Sequence, residues 1–217
     1  MFIVLEGIDG CGKTTQIRRL SEWVEERLGP DCVVATCEPG GWQGGGCLRE
    51  LILDGRLSTK WGEFFAFMAD RCEHVARVIT PALQRGKCVL CDRYSASTLA
   101  YQIFSDPEVK ERTAEYMAAL SDIIGLPKPD CVCLLDIGPG MASARLVSRG
   151  KSDSFDSRRG NFFSRVRSGY ERIMGMSPDT WMKIDASQNE NAVFGDLTAG
   201  LELRFPQLRE GHARDGR

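Results

Sequence analysis

No apolar run in the chain approaches the ~18 residues that a membrane-spanning helix requires. The first run, Phe2-Ile3-Val4-Leu5, is too short for the core of an export signal and has no basic segment before it. A cytoplasmic protein is expected, without a membrane partner. Charge of either sign is also not in excess: 28 Lys and Arg against 30 Asp and Glu leave a net charge of −2. Nonspecific nucleic-acid binding depends on a basic surface, so it is excluded as the main role. Histidine is scarce, with His74 and His212 alone. Cysteine is not scarce, but its number, nine, is odd, and without an export signal a disulfide framework is not expected. Cys88-Val-Leu-Cys91 and Cys131-Val-Cys133 lie inside apolar runs. There cysteine behaves as a small hydrophobe, and a zinc site would lack its second ligand pair.

What is present suffices for one core: 217 residues, 42% of them apolar. Short runs at 2–5, 32–35, 87–91, 131–136 and 181–184 are rich in Val, Ile, Leu or Cys without clean alternation. This is the pattern of strands covered on both faces. Helix-like stretches separate them, which implies a doubly wound α/β domain with a five-stranded parallel sheet and right-handed crossovers. The domain is expected over 1–206, followed by a flexible tail over 207–217. After the first strand, Ile17, Leu20, Val24 and Leu28 form one stripe that stops at Gly29-Pro30. A second helix is expected over 59–85. At about 100° per residue, Trp61, Phe64, Phe65, Met68, Cys72, Val75, Ala76, Ile79 and Leu83 share its main face, as core or subunit contact. Phe67, Arg71, His74 and Val78 form another stripe, either a pocket wall or a Phe at the core edge with a snorkelling Arg.

Gly7-Ile-Asp-Gly-Cys-Gly-Lys13-Thr14 fits G-x-x-x-x-G-K-[ST] between a strand and a helix. Glycines let successive N–H groups curl round a phosphate, and the helix N-terminus adds its dipole. Lys13 reaches the β- and γ-phosphates, and the Thr14 hydroxyl suits Mg²⁺. The loop makes this a nucleotide binder, and the lack of N-K-x-D argues against a GTPase. A phosphotransferase must also hold an acceptor anion. Asp92-Arg93-Tyr94 follows the third run, at the sheet edge where open α/β folds bind ligands. Arg93 can clamp an acceptor phosphate there, while Asp92 orders Mg²⁺ waters or holds Arg93. Cys11, at a helix N-terminus among exposed N–H groups, is expected to be the most reactive thiol and to be protected by ATP.

The chain resembles bacterial thymidylate kinases from Phe2 to about Phe205. The matching segments stand in the family's order: the phosphate loop, Glu38-Pro39-Gly40-Gly41, Leu48-Arg49-Glu50-Leu51, Phe67 with Ala69-Asp70-Arg71, Asp92-Arg93-Tyr94, Ser97-Thr98-Leu99-Ala100-Tyr101-Gln102, Pro127-Lys128-Pro129-Asp130 and Phe163-Ser164-Arg165-Val166-Arg167. The resemblance implies transfer of the ATP γ-phosphoryl group to dTMP with Mg²⁺ in a homodimer. It places Gly7, Ile8, Asp9, Gly10, Cys11, Gly12, Lys13, Thr14 and Thr15 on ATP, and Thr14 and Asp92 near the metal. Phe67 stacks on thymine and Arg71 bonds its edge. Thr98 and Gln102 complete the base pocket, Tyr101 lies by the sugar, and Ser97 is a further dTMP-binding residue. Arg93 and Arg49 hold the dTMP phosphate, Asp9 lies near the 3′-hydroxyl and the transferred phosphoryl, and Glu38 lines the same site.

Residues 149–160 match the family's lid, which in bacterial members supplies the arginine that their phosphate loop lacks. Here Gly10 occupies the loop position and Ser154 stands where the lid commonly has Arg. Arg149 is the favoured replacement, with Arg158 and Arg159 as alternatives. Cys37, Trp42 with Gly44-Gly45-Gly46, and Ile103 also depart from the family pattern. The competing functions are another nucleoside or nucleoside-monophosphate kinase, and a nucleotide-binding regulator without turnover.

Overall fold

In the computed structural model, which describes residues 1–106, 112–148, 150 and 157–209, the apolar runs become strands. For 112, 114, 116–118 and 157–159 it describes the backbone alone. The strands are β1 (Phe2–Glu6), β2 (Val33–Cys37), β3 (Cys88–Asp92), β4 (Cys131–Asp136) and β5 (Trp181–Asp185). They form one parallel sheet in the order β2-β3-β1-β4-β5. Strand β2 runs past the apolar stretch 32–35, because its ladder to β3 continues through Thr36 and Cys37, paired with Cys91 and Asp92.

The two-residue period of a strand divides the core between the two faces of the sheet. Ile3 and Leu5 of β1, with Cys88 and Leu90 of β3, face the larger cluster, which includes Leu20, Val24, Val166, Tyr170 and Leu197. Phe2, Val4, Val89 and Cys91 face the smaller one, with Val75, Ile79, Ala82 and Tyr94. Strands β1, β3 and β4 are therefore buried on both sides. The expectation that all five are covered fails for β2, which is only half-buried, and for β5, where buried and exposed positions mix. Both are edge strands, with a partner on one side alone.

The helices are α1 (Lys13–Leu28), α2 (Gly46–Leu53), α3 (Lys60–His74), α4 (Thr80–Gln84), α5 (Ser95–Thr98), α6 (Arg112–Ile123), α7 (Pro139–Ser148), α8 (Ser157–Met176) and α9 (Glu190–Arg204). Ile17, Leu20 and Val24 of α1 are buried as expected, and Gly29 ends the helix in a positive-φ conformation. The long helix expected over 59–85 starts on Thr59, whose hydroxyl accepts from Gly62 N–H at 3.0 Å. It is then interrupted by a π turn at Val75–Ile79 that joins α3 to α4.

Its buried face differs from the apolar stripe. Phe64, Met68, Val75 and Ile79 are buried, but so are Arg71 and His74, and Trp61 and Phe65 are 47% and 58% exposed. Cys72 and Ala76 are exposed as well. The buried face turns toward Arg71 and His74 because both are paired inside with Glu38. Hydrophobic periodicity cannot register a charge that is compensated by a distant partner. At the far end of the chain, Pro206–Leu208 forms a 3-10 turn and buries Leu208 in the larger cluster. The tail expected from Gln207 therefore cannot begin there, and residues 210–217 lie outside the described ones. Among the described residues no helix is long and apolar enough to cross a membrane.

Candidate functional site

The carboxyl end of β1 leads into the phosphate loop in the middle of the sheet. Gly7 adopts φ 141°, and a Cβ there would lie 2.6 Å from the Leu135 carbonyl oxygen of β4. Glycine lets the loop lie that close to its neighbour. Lys13 is buried, and its Nζ donates to the carbonyls of Gly7 at 3.1 Å and Ile8 at 3.3 Å, so the ammonium is folded over the loop. Thr14 Oγ1 donates to Asp92 Oδ2 at 2.8 Å. Cys11 corrects the sequence expectation: it is 2% exposed and faces the core, with its sulfur 3.5 Å from Lys13 Nζ. The loop turns its backbone outward and this side chain inward.

Two cavities flank the loop. One, of about 600 Å³, is lined by Asp9, Gly10, Gly12, Lys13, Thr14, Cys37, Glu38, Arg49, Asp92 and Arg93, and by Leu146, Phe162 and Phe163. The other, of about 250 Å³, is lined by Cys11, Gly12, Thr15, Gln16, Arg145, Ser148, Val193 and the segment Gln188-Asn189-Glu190. Arg145 donates to the Gln188 carbonyl at 3.2 Å, and Gln16 Nε2 to that of Glu190 at 3.1 Å. The other amide atom of Gln16, Oε1, is buried and has no hydrogen-bond partner among the described residues. Arg145, Gln16 and the segment after β5 escaped sequence reading because no local motif marks them.

Arg93 stands in the left-handed region, at φ 73°, directly after β3. This turn swings it away from Asp92, whose carboxylate instead takes the Thr14 hydroxyl. Of the two roles open to Asp92, holding Arg93 is therefore not the one observed. Arg93 Nη2 pairs with Asp9 Oδ1 at 2.6 Å and donates to Tyr101 OH at 3.3 Å, while Nη1 donates to Gly7 O, Ser97 Oγ and Tyr170 OH. Burial favours a neutral Asp9, but Arg93 and Lys13 outweigh it and hold the carboxyl below its usual range. Tyr101 OH also accepts from the Asp9 backbone N–H at 3.2 Å, which ties the loop to the helical segment beyond α5.

A third cavity, of about 120 Å³, opens beside Arg93. Its lining includes Asp9, Glu38, Phe67, Arg71, Arg93, Ser97, Thr98, Tyr101 and Gln102, as expected, and adds Pro39, Leu53 and Tyr94. Arg71 does not snorkel: it is 1% exposed. Its Nε and Nη2 meet Glu38 Oε2 at 2.8 and 2.7 Å, and Nη2 donates to Thr98 Oγ1 at 2.9 Å. The other Glu38 oxygen meets His74 Nδ1 at 3.0 Å, and His74 Nε2 lies 2.7 Å from Thr36 Oγ1. A Cβ on Gly41 would lie 2.2 Å from the Cys37 carbonyl and 2.9 Å from His74 Nε2, so the second glycine of Glu38-Pro39-Gly40-Gly41 is a close-approach glycine. Trp42, a departure from the family pattern, is absorbed by the same loop: its Nε1 donates to Asp70 Oδ1 at 2.8 Å. Arg49 is exposed, lines the 600 Å³ cavity and donates to the Pro39 carbonyl at 2.6 Å.

The structure thus brings the expected residues to one sheet edge, apart from the lid. Arg149 lies outside the described residues, as do 151–156, and at Arg158 and Arg159 only the backbone of α8 is described.

Comparison with known proteins is consistent with this geometry. A family model described as thymidylate kinase matches residues 5–197. A thymidylate kinase of Pelotomaculum thermopropionicum is 40% identical over 220 residues, spanning 98% of both chains. One from Desulfovibrio desulfuricans is 41% identical, over 97% of this chain and 99% of that one. The fold is similar to the crystal structure of thymidylate kinase from Ehrlichia chaffeensis, with a TM-score of 0.74 and 30% identity over 93% of this chain and 98% of that one.

Proposed function

The chain belongs to the thymidylate kinase family, phosphotransferases that convert ATP and dTMP to ADP and dTDP, and we propose that it performs this transfer with the residues gathered at the carboxyl edge of its sheet. The observation that carries the residue assignment is shared lining. Asp9, Glu38 and Arg93 border both the 120 Å³ cavity and the 600 Å³ cavity that reaches Lys13. A nucleotide base held in the first has its phosphate at Arg93, facing the phosphate loop across the second.

On the donor side, the backbone of Gly7, Ile8, Asp9, Gly10, Cys11 and Gly12, with Lys13, Thr14 and Thr15, takes the ATP phosphates. The 250 Å³ cavity beside Thr15, Gln16 and Arg145 suits the nucleoside end. Lys13 exchanges its loop carbonyls for phosphate oxygens as the nucleotide arrives. Thr14 Oγ1 and Asp92 Oδ2, two hard oxygen donors 2.8 Å apart, fit Mg²⁺, which when bound would neutralise phosphate charge. On the acceptor side, Phe67 stacks under the base, Arg71, Thr98 and Gln102 read its edge, and Ser97 lines the same cavity. Tyr101 and Asp9 flank the sugar, and Arg93 with Arg49 holds the phosphate.

Transfer breaks the bond from the γ-phosphorus to the β,γ-bridging oxygen and forms one to a dTMP phosphate oxygen. That oxygen is already anionic, so no strong general base is required. The protein supplies alignment and positive charge, from Lys13, Arg93 and a lid arginine for which Arg149 is the choice. We further propose a cytoplasmic homodimer. The exposed Trp61 and Phe65 on α3 support a subunit contact, and the buried free thiols of Cys88, Cys91, Cys131 and Cys133 suit a reducing compartment.

Coupled measurement of ADP release with dTMP, dUMP, dCMP and AMP tests the reading. dTMP should have by far the highest kcat/KM. Comparable values for AMP would overturn the base-pocket assignment.

A further inference from the structure

Several buried ionisable groups have no part in the chemistry above, Asp70, His74 and Glu6 among them. Glu6, the last residue of β1, is 0% exposed, yet its carboxylate is surrounded by donors. Oε1 accepts from the backbone N–H groups of Tyr94 at 2.9 Å and Ser97 at 3.1 Å. Oε2 accepts from Ser97 Oγ at 2.6 Å and Tyr170 OH at 2.9 Å. We propose that Glu6 is a positioning residue for Arg93, acting through the polarity of these two hydroxyls. The inference rests on the reading of Arg93 as the clamp on the acceptor phosphate.

Arg93 Nη1 donates to the same two hydroxyl oxygens, Ser97 at 2.9 Å and Tyr170 at 3.3 Å. A guanidinium only donates, and Nη1 shares its two hydrogens among Gly7 O and these hydroxyls, so a hydroxyl that faces Arg93 presents a lone pair and sends its single hydrogen elsewhere. The two hydroxyls also lie 2.8 Å from each other, so one hydrogen can run between them, and Glu6 Oε2 is the acceptor within reach of both. An ionised carboxylate accepts at both oxygens, so four donors find four lone pairs and no hydrogen is left facing another. A protonated or amide side chain would add a donor to a site already full of them.

Glu6 also acts on the backbone. Arg93 occupies a left-handed conformation that side chains other than glycine rarely adopt. The next N–H, that of Tyr94, is held on Glu6, while Arg93 N–H donates to the Leu5 carbonyl at 3.0 Å. Tyr170 comes from α8, so one carboxylate ties β1, α5 and α8 to the inner side of the guanidinium. Burial holds the Glu6 pKa above its ordinary value, although the Ser97 hydroxyl, the Arg93 charge, the Tyr94 amide and the Tyr170 hydroxyl each pull it down. The other guanidinium nitrogen, Nη2, lies outside this network and meets Asp9 and Tyr101.

The test is calorimetric titration of dTMP and of ATP into Glu6→Gln, Glu6→Asp, Ser97→Ala and Arg93→Ala enzymes. Glu6→Gln preserves shape and should weaken dTMP by about tenfold or more, the loss expected for hydrogen bonds that involve a charged group. ATP binding should stay within about twofold, since among the described residues the Glu6 carboxylate bonds to Tyr94, Ser97 and Tyr170 and not to Lys13 or the loop. Glu6→Asp keeps the charge and should weaken dTMP less than Glu6→Gln, although it is the larger change in shape. A role in packing alone gives the opposite order and overturns the proposal. An unchanged dTMP affinity in Glu6→Gln, or equal loss of both ligands, overturns it as well. If Glu6→Gln does not fold, Ser97→Ala decides: dTMP weakened with ATP unchanged supports the proposal, and no change overturns it. Arg93→Ala separates the two layers. Normal dTMP binding in that variant refutes the clamp and the inference built on it, while weakened binding there with normal Glu6→Gln refutes only the inference.

Discussion

At the scale of single residues, accessibility overrides intrinsic reactivity. Cys11 has the electropositive surroundings of a reactive thiol, at a helix N-terminus beside Lys13, but it is 2% exposed. Cys88 is buried too, and burial pushes its pKa up to about 12, so little thiolate exists there at neutral pH. Cys47 and Cys72 are exposed. Limited iodoacetamide should therefore label Cys47 and Cys72 first and leave Cys11 unmodified with or without ATP. Peptide mass spectrometry reads the sites, and early ATP-sensitive labelling of Cys11 would contradict the inward-facing thiol. The Arg71–Glu38 pair shows the same precedence of surroundings over residue type. Both members are buried, and removing either strands the other at a cost of about 3–5 kcal/mol.

At the scale of elements, α3 performs two tasks on different faces. One face sends Arg71 and His74 inward to Glu38, and the other leaves Trp61 and Phe65 outside. The rings form an edge-to-face series, Trp61 on Phe64 and Phe64 on Phe65, with the middle one buried. This is a pre-ordered apolar surface and suits a partner helix. If the proposed homodimer uses this face, Phe65→Ser should convert it to a monomer in sedimentation velocity while hardly changing the fold, since the side chain is already 58% exposed. A variant that stays dimeric at low micromolar concentration would place the interface on another face.

At the scale of the molecule, Asp136 joins three elements. Its oxygens pair with Arg167 of α8 at 2.5 and 2.8 Å and with Lys183 of β5 at 3.1 Å. The Arg167 hydrogen bonds, aided by Lys183, hold the Asp136 carboxyl below its usual range. A depressed folded-state pKa contributes stability that is present above the unfolded pKa and is lost as pH falls through the folded value. Arg167 is 40% exposed, so solvent screening limits the contribution to about 1 kcal/mol. Asp136→Asn should therefore cost about that much in urea unfolding at pH 7. The gap to the parent should close as pH drops below the ordinary carboxylate range. A gap that persists there would show that packing, not charge, is what the substitution disturbs.

The sequence by itself determined the alternation of strands and helices, the phosphate loop and the arginine after the third strand. These are local signals: strand composition, a glycine spacing and a strand end need only neighbouring residues to be read. One helical turn left Phe67 and Arg71 open between a pocket wall and a core-edge Phe with a snorkelling Arg, and the family resemblance pointed to the pocket. Tertiary structure alone decided that Arg93 pairs with Asp9 rather than Asp92, that Cys11 faces inward, and that Arg71 and His74 are buried with Glu38. It also decided that Glu6 meets Tyr170 across 164 positions. The physical reason is the same in each case. A polar group's place depends on which partner reaches it, and partners brought together by a parallel sheet are remote in the chain.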